Sequence, residues 1–368
     1  MSNYQRPSFI KKGRGFSVIY FSQTRKFLIT KGVLEEFFQD TFSLEKNDYD
    51  HIVENLILKH PEFTDCLIIS KSTTRDNNNE DDLSISPAVI SSQLLLSNYV
   101  VEVRFDMNSL KDIFLSAYEH LNISNSHTTN YYHKVLSIVK NDSMHYLFSG
   151  SKIISKSLNK EYYKLQAQFA NKLIEYYHNL ESNQWLCSFH ACAVKKSNKT
   201  YLILGDSGAG KSTLTALLCA SGYRFVGDDL ILMDQEFNIY DNPAALSAKE
   251  SSWDILSKYY KEMHEINESN RTKGKVKMKY LPIHSIQKNL PDKHKISALF
   301  WVDFNPNTKA QLKPLSSFSI SSSLIPDTWV NPELNYPELF TNWLIQSKGF
   351  RLIYSDFSSL VNVLDEQL

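Results

Sequence analysis

The stretch Gly205-Asp206-Ser207-Gly208-Ala209-Gly210-Lys211-Ser212 combines three glycines with a lysine and a hydroxyl, and Thr213 follows. Glycine reaches backbone conformations closed to other residues, so successive amide N–H groups here can turn inward around phosphate oxygens. A helix starting near Lys211 would add the positive end of its dipole. In such a P-loop Lys211 would bridge the β- and γ-phosphates of a nucleoside triphosphate, and the Ser212 hydroxyl would take one position on Mg²⁺.

A second chemical cluster follows about one helix later, in Gly222-Tyr-Arg-Phe-Val-Gly-Asp228-Asp229-Leu-Ile-Leu232. A carboxylate at this distance can bind the metal or accept the proton of an attacking hydroxyl. Side chains of neighbouring strand residues point to opposite faces, so one acid would face the phosphate and the other would support it. Upstream, Phe189-His190-Ala191-Cys192-Ala193-Val194 sets a histidine in an apolar strand. Such a histidine is ordinarily a core or surface residue, and its company here is what makes it a candidate.

The elements expected to hold these residues are a strand and a helix. Tyr201-Leu202-Ile203-Leu204 is a short apolar run of the kind a buried parallel strand shows, and Thr213 to Ala220 carries Leu214, Leu217 and Leu218 on one side of a helix. That flanking turns a Gly-x-x-x-x-Gly-Lys-Ser pattern into a mechanism. Strands are expected at Tyr99–Phe105, Lys134–Val139, His145–Phe148, Ser297–Phe304 and Gly349–Tyr354. Helices are expected at Leu110–Leu121 and at about Lys160–Leu180, the latter with Tyr163, Ala167, Ala170, Leu173, Ile174 and Tyr177 on a face read as core packing, and at Pro332–Ser347. Lys273, Lys275, Lys277 and Lys279 alternate with small or apolar residues and would share one face of an extended strand. They would form either a solvated basic strand or a lid that neutralises phosphate or binds an acidic peptide.

The chain opens with a predicted hairpin at residues 15–30 and two helical patterns, Val33-Leu34-Phe37-Phe38 and Ile52-Val53-Leu56-Ile57. This order suggests a small α+β unit resembling a winged helix. Residues 71–84 are polar and aperiodic, a linker. The expected organisation is thus a small domain over 1–70, a linker over 71–84, and an α/β nucleotide-binding domain over 85–368.

The 40 Lys and Arg balance the 40 Asp and Glu, so no global field would draw in nucleic acid or an anionic membrane. Cys66, Cys187, Cys192 and Cys219 lack Cys-x-x-Cys spacing, which argues against zinc and disulfides. No signal stretch and no apolar run of about 20 residues is visible, so a cytoplasmic location is expected. A homo-oligomer stays open.

From His190 to Leu232, the motifs His-Ala-x-Ala-Val, Leu-Gly-Asp-Ser-Gly-Ala-Gly-Lys-Ser-Thr and Gly-Tyr-Arg-Phe-Val-Gly-Asp-Asp resemble the catalytic core of bacterial HPr kinase/phosphorylase and its kinase-like relatives. Weaker echoes run to about residue 304. The resemblance implies an α/β kinase core of HPr-kinase type that uses ATP and Mg²⁺ to phosphorylate a hydroxyl of a protein or peptide. His190 would sit near the phosphates, Lys211 would stabilise the transferring group, Ser212 would hold Mg²⁺, and Asp228 and Asp229 would supply the general base and its support. Spacing leaves open which acid is the base; Asp228 is the leading candidate and a metal ligand as well. The chain has no clear counterpart of the family's Glu-Ile-Arg-Gly-type metal segment. Tyr240-Asp241-Asn242-Pro243 is nearest, which makes Asp241 a further metal candidate.

The N-terminal unit is similar in element order to PqqD-like peptide-recognition domains, which bind a peptide as an added strand; Lys26–Thr30 would be the accepting edge, with Val33, Leu34 and Phe37 behind it. These likenesses imply a kinase acting on a Ser or Thr hydroxyl of a precursor peptide or small protein. A kinase for a free amino acid or nucleoside, and a P-loop ATPase switch, are the alternatives. The chain carries neither a Leu-Ser-Gly-Gly-Gln signature nor an Asn-Lys-x-Asp guanine-reading motif.

Overall fold

The computed structural model describes residues 9–21, 25–31, 68–69, 90–123, 131–141, 143–158, 161–180, 185–271, 276–287, 290–333 and 335–367. The architecture is mixed α/β with four sheets among these residues. At its centre the strand Lys199–Leu204 pairs antiparallel with Cys192–Lys196 and parallel with the twelve-residue strand Lys293–Phe304. Lys293–Phe304 in turn pairs parallel with Gly349–Tyr354. Both faces of this sheet are covered, and the two-residue alternation of a strand divides its side chains between two cores. Tyr201 and Ile203 face the core that contains Leu214 and Leu218 of the helix Lys211–Ala220, while Leu202 and Leu204 face the one that contains Phe340 and Leu344.

A five-stranded sheet, in the order Ile90–Leu96, Tyr99–Phe105, Tyr132–Asn141, Met144–Ser149, Lys152–Leu158, forms a third core with its own helices. The expected helix over 110–121 starts at Asn108 and tightens into a 3₁₀ segment at Ser116–Leu121. The long helix runs over Tyr162–His178. Its core-facing residues are Leu165, Phe169 and Leu173, with Ile174 buried against Trp185, Leu232 and Tyr240. The stripe expected from periodicity holds for Leu173 and Ile174, which are buried, and for Tyr177, which packs partly buried against the same core. Tyr163 is 60% exposed, because the helix packs on its sheet through the neighbouring Leu165–Phe169 row. The unit is bonded to the central one at Ala245 N–H to Ala117 O (2.8 Å) and His178 Nε2 to Asp241 O (2.8 Å).

At the N-terminus the expected hairpin is present as Phe16–Phe21 and Lys26–Lys31. Two further strands, Phe9–Gly13 and Ile68–Ile69, complete a four-stranded antiparallel sheet. Phe16, Val18, Tyr20, Phe27 and Ile29 are buried in the same core as Leu186, Phe189 and Phe340. The edge assigned to an added peptide is already occupied in part, since Leu28 and Ile29 pair with Ile69 and Ile68. The two helices expected near residues 33–38 and 52–57, on which a winged-helix reading depends, and the expected linker at 71–84 lie outside the described residues. No helix among the described residues is long and apolar enough to cross a membrane.

Candidate active site

The glycine loop leaves the strand Lys199–Leu204 and ends at the helix Lys211–Ala220, as its flanking sequence implied. Gly208 and Gly210 have φ of +87° and +88°, a region that a Cβ disfavours. Gly205 serves close packing too, since a Cβ there would lie 3.1 Å from Val302 O of the neighbouring strand. Lys211 is buried, and its Nζ donates to Gly205 O (2.8 Å) and Asp206 O (3.3 Å), which holds the charge inside the loop. Asp206, Ser207 and Gly208 form the exposed arch, and the Ala209 N–H donates to Asp206 O at 3.1 Å. Ser212 and Thr213 open the first turn of the helix, half-buried.

Asp228 and Asp229 sit in a bend directly after the strand Arg224–Gly227, rather than within the strand. They still diverge. Asp228 is 4% exposed and accepts four hydrogen bonds. Ser212 Oγ and Cys192 Sγ donate to its Oδ1, both at 2.8 Å, and the Ser247 N–H and Oγ donate to its Oδ2 at 2.8 and 2.7 Å. All four donors are neutral. Burial, and then the negative charge of Asp229, push the Asp228 carboxyl above the usual carboxylate range, against the pull of these hydrogen bonds. Burial pushes the Cys192 thiol well up, with Asp228 adding to it, so this cysteine acts as a hydrogen-bond donor and not as a thiolate.

Asp229 adopts a left-handed backbone (φ +64°), which turns its carbonyl toward His190: Nδ1 lies 3.2 Å from Asp229 O and 3.8 Å from its Oδ1. The bend is pinned from below by Asn242 Nδ2, which donates to Leu230 O at 3.0 Å. The side chains of His190 and Asp229 are 53% and 38% exposed. Together with Asp228 they border a cleft of about 310 Å³. Its opposite wall is the 3₁₀ segment and the long helix of the five-stranded unit, including Tyr163, Ala167 and Ala170. Tyr163, Ala167 and Ala170, expected to pack a core, therefore line the cleft of Asp228 and Asp229 instead.

Two other expectations change. Asp241, a candidate metal ligand, is fully buried with both carboxylate oxygens engaged: Arg224 Nη2 at 2.5 Å and the Asp292 N–H at 3.0 Å on Oδ2, and His294 Nε2 at 2.8 Å on Oδ1. It closes an ion-pair cluster in which a guanidinium already meets its charge, whereas Asp228 has neutral partners only, Ser212 of the glycine loop among them. In the basic segment, Lys277 pairs with Glu268 at 3.2 Å, while Lys279 Nζ donates to Met263 O and lies 5.0 Å above the Trp253 ring. These two tie the strand Val276–Leu281 to its neighbours. Lys273 and Lys275 lie outside the described residues.

Three partners of the site had not been expected. Cys192 carried a signal, two residues beyond His190 on the same strand. Ser247 and Asn242 had none, because they reach Asp228 and Leu230 from a separate chain segment.

No group of three or more His, Cys, Asp or Glu able to hold a metal occurs among the described residues. Mg²⁺ does not require one, since it is commonly bound by one or two protein oxygens together with substrate phosphates. The adjacent Ser212 hydroxyl and Asp228 carboxylate are hard oxygen donors and fit it.

No protein-family model and no curated protein matches the chain. Among solved structures it is similar to the HPr(Ser) kinase/phosphatase from Coxiella burnetii, with 10% identity and a TM-score of 0.25, over 49% of this chain and 94% of that one. A superposition that loose carries no argument about fold or activity, and the functional reading stands on the residues described above.

Proposed function

We propose that the protein is a Mg²⁺- and ATP-dependent kinase that transfers the γ-phosphoryl group to a Ser or Thr hydroxyl of a precursor peptide or small protein. The observation that carries the reading is the meeting of two separately encoded motifs: Ser212 of the glycine loop bonds Asp228 at 2.8 Å, and the next residue, Asp229, borders a cleft. A phosphate site, a metal-compatible oxygen pair and a solvent-accessible carboxylate thus adjoin a space for an acceptor.

In this reading the N–H groups from Gly208 to Ser212 bind the phosphates, and Lys211 exchanges its loop carbonyls for phosphate oxygens. Mg²⁺, held by Ser212 and Asp228, would supply charge neutralisation of the phosphates. Asp229, steadied by His190, takes the proton of the acceptor hydroxyl; the oxygen–phosphorus bond forms as the bond from the γ-phosphorus to ADP breaks. Asp229 replaces Asp228 as the base because Asp228, although it also borders the cleft, is 4% exposed and accepts donors on both oxygens, whereas the Asp229 side chain is 38% exposed. Catalysis rests on positioning and charge, as phosphoryl transfer generally does.

The test is incubation with γ-labelled ATP and candidate acceptors. Label on a peptide supports the reading; label on a free amino acid or nucleoside, or only as free phosphate, replaces it with a small-molecule kinase or an ATPase. Asp229→Asn should reduce transfer about 10²–10⁴-fold, the usual span of general-base contributions, with little change in ATP binding.

A further inference from the structure

A second cavity, of about 540 Å³, lies beside the reaction cleft and shares Ile113, Tyr163, Gln166 and Tyr280 with it. The shared wall is fixed, since Gln166 Nε2 donates to Ile113 O at 3.0 Å and joins the long helix to the one before it. The two spaces thus lie on either side of one wall, and the larger by itself has the size of sites that enclose a small ligand.

The charge of the lining is one-sided. Among the described residues neither space is lined by a lysine or an arginine, and the larger is bordered by Asp112, Glu119 and Glu268. Glu268 is shared with Lys277, but Asp112 and Glu119 are exposed and pair with no cation among the described residues. His120 also lines this space, and burial pulls its imidazole down to about 4, so it brings no positive charge at neutral pH. An anionic group entering here would find no counter-charge among the described residues, whereas an ammonium or guanidinium would find two carboxylates and tyrosines. The phosphate side of the site has the opposite character, with Lys211 and the helix start.

We propose that the larger cavity is the acceptor subsite, and that it takes a peptide segment carrying a lysine or arginine close to the Ser or Thr that enters the reaction cleft. This deepens the kinase reading and rests on it for the identity of the reaction, but the binding preference can be measured without any transfer.

The experiment uses the full chain and two fluorescent Ser-containing peptide pools of equal length, one with Lys and Arg and the other with Asp and Glu at the variable positions. Binding is followed by anisotropy with and without Mg²⁺·ATP, and label transfer from ATP is followed in parallel. The basic pool should bind at least tenfold more tightly, with the gap narrowing as salt is raised. Glu119→Lys should weaken basic-pool binding roughly three- to tenfold, as for a charge at an exposed site, and Asp112→Asn should do so to a smaller extent. Mg²⁺·ATP binding by the variants serves as the folding check. Equal binding of the two pools, preference for the acidic pool, or full basic-pool affinity in folded Glu119→Lys would overturn the proposal. Tight, Glu119-dependent binding of the basic pool without label transfer would uphold the subsite and sink the kinase assignment.

Discussion

Asp228 and Asp241 are both buried aspartates, and the groups around them differ in kind. Asp241 accepts from a guanidinium and an imidazole, so its charge is met within the fold. Asp228 accepts from two hydroxyls, a thiol and an amide, all neutral, and it also feels the like charge of Asp229. Hydrogen bonds satisfy its lone pairs without compensating its charge, and that imbalance is what raises its proton affinity. Asp228 is thus a buried carboxylate without a cation beside the glycine loop, whereas Asp241 is neutralised by a guanidinium within the fold.

The largest expected effect concerns reactivity. Lys211→Ala and Asp228→Asn should each lower the single-turnover transfer rate about 10³–10⁵-fold, the range seen when a charged group is removed from a phosphoryl-transfer site. A near-normal rate in Asp228→Asn would make Asp228 as structural as Asp241 and break the contrast. Next comes Asp241→Asn, which leaves the half-buried Arg224 without its counter-ion and should cost about 3 kcal/mol in urea unfolding. A loss well under that would show that the cluster is open to water.

A smaller effect, of opposite sign, sharpens the comparison. Without nucleotide or metal, Asp228→Asn should stabilise the fold by about 1 kcal/mol near neutral pH, because an uncompensated charge is removed and Ser212 Oγ can rotate to accept from the new amide. The sign follows from the raised carboxyl pKa: its favourable contribution is complete below the ordinary carboxylate value and is lost as pH rises through the folded value. The stability difference between wild type and variant, followed by thermal melts, should therefore widen with rising pH and close in acid. A constant difference would refute the account of the charge. Least of all, Ser247→Ala keeps the backbone donor and removes one hydroxyl bond, so about 1 kcal/mol, or roughly fivefold in transfer rate, should be lost.

The legibility of the site followed the locality of its causes. Gly205 to Ser212 could be read because strand, loop and helix are contiguous, and the glycine positions and the apolar runs on either side constrain one another. Asp228 and Asp229 could be placed near the loop, but which of them is buried depends on Cys192, Ser212 and Ser247 arriving from three directions. Periodicity put Tyr163, Ala167 and Ala170 on a common face correctly and assigned that face to the wrong neighbour. A helix repeat specifies which residues share a side and carries no information on what lies opposite. Asp241 was misjudged for a related reason: its sequence neighbours Tyr240 and Asn242 say nothing of Arg224, Asp292 and His294, which arrive from other strands and loops.

The sequence by itself therefore determined the glycine loop, the order of strand and helix that carries it, and the acidic pair one helix later, since each depends on backbone preferences and spacing within a few tens of residues. Only the tertiary structure decided that Asp228 is enclosed by neutral donors, that Asp229 and His190 border a cleft walled by a separate sheet unit, and that Asp241 is paired. Those outcomes depend on burial and on charge partners far apart in the chain, and burial is a property of the packed whole.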